Sequence, residues 1–135
     1  PKNPGMMWRS PAFLPQPDPA LGRCYRRLTL REVDIGFAGR HAPRDSVHRA
    51  IAALSAGDSL SWRQEKERWL LVNDQGHTVG RLAYAFHPPA NMRCVEARVI
   101  AVITRLKKDN ADPTYLNSVR CDRWEVVLPE LVFEP

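Results

Sequence analysis

Arginine is the residue type in this sequence with the most chemistry to offer. Arg23, Arg26, Arg27 and Arg31 form one group, and Arg40, Arg44 and Arg49 form a second. A guanidinium presents a planar fork of donors that matches phosphate oxygens. The second group surrounds the expected start of a helix, where free backbone amides also favour phosphate. Convergence of the two groups would make a basic face suited to a polyanion. Aromatic rings could add base stacking, and Tyr25, Phe37, Trp62 and Tyr84 are the candidates. Trp62, Trp69, Tyr84, Phe86 and Trp124 fall at core-type parity, so those five are expected inside. Tyr25 and Phe37 remain as the expected exposed pair. The candidate nucleic-acid-binding set is therefore Arg26, Arg27, Arg31, Arg40, Arg44 and Arg49, with Tyr25 and Phe37. The competing reading is an ordinary solvated surface, which a net charge of +5 permits equally well.

Other chemistries lack their patterns. The sequence has no Walker-type phosphate loop, no G-x-G-x-x-G and no H-E-x-x-H. His41, His48, His77 and His87 are scattered, and Ser46 and Ser59 have no nucleophile elbow around them. Glu65 and Glu67 alternate with Lys66 and Arg68, as at a solvated strand end or turn. Cys24, Cys94 and Cys121 are odd in number and far apart, with no C-x-x-C spacing. Free buried thiols are expected, rather than disulfides or a zinc site. The expectation is a chain with no catalytic centre, no metal site and no cofactor of its own.

The elements that must position these residues are bounded by size. A chain of 135 residues with 44% hydrophobic and 26% charged content has the make-up of one globular domain. No apolar run reaches the roughly 20 residues of a membrane span. No signal-peptide pattern opens the chain, so a cytoplasmic protein without membrane contact is expected. Residues 1–22 are crowded with proline and read as a linker or surface arm, which Trp8, Phe13 and Leu14 could anchor. Residues 23–135 read as the single domain. A chain beginning at Pro1 reads as one processed or cut from something longer.

Within the domain the hydrophobic period is mostly that of strands. A first strand runs from Cys24 through Ile35, with a parity change near Arg31–Glu32 that implies a bulge. Val47, Ala50, Ile51 and Leu54 predict a short helix over 45–54, capped by Asp45 or Ser46, with Gly57 at its C-terminal cap. Strands follow at Leu60–Trp62, Trp69–Val72 and Thr78–Phe86, with a turn at Asn73–Gly76 and a bulge at Gly80. A long strand covers Val95–Ile103, a polar loop 107–114, and a last strand Trp124–Leu128, closed by Pro129. The fold class expected is mainly β: a small curved sheet or barrel, with one short helix after the first strand.

One stretch resembles a known family. Ala56-Gly57-Asp58-Ser59-Leu60, then Trp69 through Leu82 with its Val79-Gly80-Arg81-Leu82, then Val95-Glu96-Ala97-Arg98-Val99, is similar in order to HIRAN domains. Those are small β-barrels attached to DNA-repair helicases and translocases, related in shape to SH3- and OB-like barrels. With Trp124–Leu131 added, the stretch also resembles the C-terminal region of large bacterial RecQ-type ATP-dependent DNA helicases. The resemblance implies a non-catalytic accessory domain that binds or positions DNA, as single strands or ends, within a larger parent chain. One HIRAN segment, N-P-x-D-x-x-A before the V-G-x-L strand, is missing, since Gln64–Trp69 stands in its place. A different function fits the same sequence: a protein-interaction or structural capping module of a larger enzyme.

Overall fold

The computed structural model describes residues 22–109 and 117–135. The proline-rich arm therefore lies outside the described residues except for Gly22, as does most of the polar loop. The described chain forms one six-stranded antiparallel sheet with a short helix. Strand β1 is Cys24–Arg27, β2 Ser59–Glu65, β3 Arg68–Val72, β4 Thr78–Arg81, β5 Arg93–Leu106 and β6 Arg123–Glu134; helix α1 is Ser46–Ala52. Their order across the sheet is β1-β6-β5-β2-β3-β4.

The expected class, mainly β and strongly curved with one helix after the first strand, is what forms. The sheet does not close into a barrel. β2 makes the corner: Ser59 and Leu60 pair with β5, then Ser61–Glu65 pair with β3. A register shift at Leu71/Val72, opposite Val79, bends the other flank beside Gly80. The two outermost strands are linked just past their ends. Val33 bridges Leu82, with Asp34 N donating to Arg81 O at 2.8 Å and Ala83 N to Glu32 O at 2.9 Å. That single bridge curls the sheet toward closure without completing a ladder.

Strand lengths depart from expectation: β2 and β5 run past both expected ends, and the other changes have visible causes. β1 stops at Arg27, and the parity change that follows is a turn rather than a bulge. There the Glu32 carboxylate accepts from Thr29 N at 3.0 Å. β4 stops at Arg81 rather than Phe86, because the Val33 bridge takes over at Leu82. β6 passes through Pro129 to Glu134. Pro129 O accepts from Leu28 N at 3.0 Å, so the missing N–H would face the side on which β1 has already ended.

The helix starts where Asp45 accepts from Val47 N at 2.9 Å, and buries Val47 and Ile51. Its cap is Ala53 rather than Gly57, which sits at φ 93° in the turn leading to β2. Leu71, Leu82, Val99, Leu131 and Phe133 fill the centre of the core. Trp124 closes one end, its indole donating to Ile35 O at 2.7 Å and lying flat on Gly39. A Cβ on Gly39 would stand 2.7 Å from that ring. Among the described residues no helix is long and apolar enough to cross a membrane.

Candidate nucleic-acid interface

Five arginines are gathered around two carboxylates. On the outer face of β1, β6 and β5, the register sets Arg27, Glu130 and Arg98 side by side. Arg27 Nε donates to Glu130 Oε2 at 3.1 Å, and Arg98 Nε to Oε1 at 2.7 Å, with a second Arg98 nitrogen on the same oxygen. Glu130 is 1% exposed. Along the same face Glu134 meets Arg93 at 3.1 Å and Arg23 at 3.4 Å. The extra residue in β5 between Cys94 and Glu96 restores Arg93 and Arg98 to one face. Tyr25 lies between these rows, half-buried and opposite Val132.

The second carboxylate is Asp34, held by the bridge between the sheet's two ends. Arg81 donates to Oδ2 through Nε at 2.9 Å and through a terminal nitrogen at 2.6 Å; Arg40 donates to the same oxygen, and Arg68 stands 3.6 Å away. Burial pushes the Asp34 carboxyl upward, but the hydrogen bonds from Arg81 and Arg40 outweigh it and hold the group below its ordinary range. One negative charge thus answers three positive ones. Arg68 is 15% exposed and fixed twice over. It donates to Leu82 O at 3.0 and 3.2 Å, and its guanidinium lies over the Tyr84 ring at 4.0 Å.

Tyr84 is 70% exposed. Two open concavities share it with Arg68. One, of about 370 Å³, is lined by Gln64, Glu67, Trp69, Phe86 and His87 as well. The other, of about 240 Å³, adds Glu65, Lys66, Leu70 and Arg81. Lys66 is at φ 57° in the β2–β3 turn, which confirms Glu65–Arg68 as a turn.

The structure distributes the sequence candidates. Arg40 joins the Asp34 cluster, and Arg27 joins the Glu130 cluster. Arg26 pairs with Glu32 at 2.8 Å and reaches within 5.9 Å of the Phe86 ring. Arg31, Arg44 and Arg49 are exposed, with no ion pair to any described residue. No two of the six share a carboxylate. The helix amide expected to favour phosphate is taken by Asp45. Phe37 is half-buried against the core, its ring 4.9 Å from His41. Of the four stacking candidates, the exposed ring is Tyr84, which parity had put inside; Trp62 is partly buried. Arg68 and Arg81 were missed. Their signal was available only jointly, as one arginine just after the Lys66–Glu67 turn and another just after the bulge beside Gly80.

Cys121 and His48 line a cavity of about 320 Å³, with Sγ and Nε2 3.6 Å apart. Nε2 lies 3.0 Å from Ala42 O, so it carries the proton and cannot accept one from sulfur. The thiol donates instead to His41 O at 3.2 Å. Burial pushes the Cys121 thiol up, and Asp122 adds to this; burial pushes Cys94 up to about 11. Neither is an activated thiolate. Among the described residues no three His, Cys, Asp or Glu side chains group as metal ligands.

No family model, curated protein or solved structure matches the chain.

Proposed function

We propose that this domain binds single-stranded DNA as a non-catalytic accessory module of a larger DNA-processing protein. The observation that carries the reading is the exposed Tyr84 ring backed by a fixed Arg68. A large ring left in water forgoes its burial energy, roughly 2 kcal/mol. Arg68 covers one face of the ring, and the exposure leaves the other open for a base. Stacking on such a platform tolerates any base and contributes about 1–3 kcal/mol. Arg81 and Lys66 line the smaller of the two concavities, together with Glu65, and supply phosphate contacts. A duplex keeps its bases stacked inside, so a single strand fits the ring better. The reading agrees with the likeness of the sequence to HIRAN domains and to RecQ-type helicases, under which the parent chain would be an ATP-dependent motor.

Fluorescence anisotropy with a labelled oligothymidine and with a labelled duplex tests it. The account expects salt-sensitive binding that favours the single strand. No binding at low salt, or a preference for the duplex, would overturn it.

A further inference from the structure

β5 outruns β2, its neighbour on one side. β2 pairs with it only at Ala97 and Arg98, and the backbone of Val99 is taken by Gly57 and Asp58. From Ala101 to Leu106 the strand pairs with β6 alone among the described residues. Alternation fixes where its remaining backbone groups point. Lys107 N donates to Asp122 O at 2.9 Å, toward β6, so Ile103 and Arg105 also bond toward β6. Val102, Thr104 and Leu106 then face outward. The Leu106 N–H is occupied by the Asp109 carboxylate at 3.3 Å. Val102 and Thr104 are left with an N–H and a C=O each that no described residue takes. Native edges are commonly guarded by proline, by charge or by a bulge. Ala101–Thr104 contains no proline and no charge, and the nearest bulge lies before it, at Val99/Ala101.

We infer that this edge pairs antiparallel with the same edge of a second copy, about a two-fold axis at Ile103. The register is self-consistent. Val102 faces the partner's Thr104 and Thr104 faces the partner's Val102, all with outward backbone groups, so each pair exchanges both bonds. Ile103 packs against the partner's Ile103. Arg105 stands opposite the partner's Ala101, so no like charges meet, and the pairing stops short of Val99, whose edge Gly57 and Asp58 hold. The pairing runs about 20 Å along the strand. It buries less than the roughly 1,200 Å² of a stable complex, so the association is weak and concentration-dependent. A dimer would also present two Tyr84 grooves to one strand, a consequence that rests on the proposed function although the pairing itself does not.

Sedimentation velocity on the 135-residue chain, over a series reaching hundreds of micromolar, tests this. The mass is expected to rise toward twice the monomer. Thr104→Pro removes only an outward N–H, so the fold should keep its melting behaviour while association weakens at least about tenfold. Thr104→Lys should do the same by setting two lysines diagonally across the axis, and it carries the test if the proline variant misfolds. Ile103→Cys should cross-link under mild oxidation above the wild-type background. A mass independent of concentration, Thr104 variants that associate like wild type, or an Ile103→Cys chain that cross-links no more than wild type would each overturn the pairing.

Discussion

Two carboxylates in this domain are each surrounded by arginine, and they do opposite things. Glu130 lies under Arg27 and Arg98 in the middle of a flat strand row, 1% exposed, with both partners supplied by neighbouring strands. Asp34 sits on a single bridge between the ends of the curled sheet, with three arginines and an open groove beside them. In the first cluster the carboxylate is enclosed and its arginines serve it. In the second the carboxylate orders more positive charge than it neutralises. Charge type alone therefore does not make a binding site; what matters is surplus charge held rigid next to an open ring.

The comparison breaks first at Glu130. Glu130→Ala strands two guanidiniums, and should cost about 3 kcal/mol in urea unfolding. That is the lower end of the cost of breaking a buried pair, because Arg27 and Arg98 are partly exposed. DNA affinity of the folded fraction should not change. A loss below about 1 kcal/mol would remove the structural role assigned to this cluster.

Asp34→Asn should cost less, about 2 kcal/mol, through weakened bonds to Arg81 and Arg40. Unlike Glu130→Ala, it should tighten oligothymidine binding about fivefold at low salt, the worth of one surface charge near 1 kcal/mol. Weaker binding by this variant would mean that Asp34 positions the arginines more than it neutralises them. Acid sharpens the same point. Because the folded Asp34 carboxyl lies below its ordinary value, its stabilisation is complete above about pH 4 and is lost as pH falls further. Wild type should therefore lose more stability than Asp34→Asn between about pH 5 and pH 2. Parallel losses would contradict the pairing.

Tyr84→Ala should leave stability within about 0.5 kcal/mol, as expected of an exposed position. It should weaken single-strand binding by about 1–3 kcal/mol, at least fivefold in the dissociation constant. The smallest effect is expected at Arg93→Ala, whose side chain is 73% exposed beside Glu134: within about 0.5 kcal/mol, and no change in DNA binding.

The sheet was more legible in the sequence than the site. The strand at Val95–Ile103, the Asn73–Gly76 turn and the apolar face of Val47 and Ile51 are local signals, and each reappears in place, although bulges at Cys94/Glu96 and Val99/Ala101 break the expected alternation of the strand. Strand ends were not legible, because long-range events set them. The Val33–Leu82 bridge ends β4, and the place where β1 stops is what lets Pro129 stay inside β6. The same event hid the site. Parity along an imagined strand to Phe86 put Tyr84 in the core, whereas the chain leaves the sheet at Arg81 and exposes the ring. Spacing along the chain grouped Arg26, Arg27 and Arg31 together, yet Arg26 and Arg27 point to opposite faces and meet different carboxylates.

The most direct test of the central claim is a backbone amide chemical-shift titration of the labelled domain with oligothymidine. The account predicts shifts confined to the Lys66–Trp69 turn and to Gly80–His87, with Arg27, Arg98 and Glu130 unmoved. Shifts centred on the Arg27–Glu130–Arg98 row or on helix α1 would contradict it.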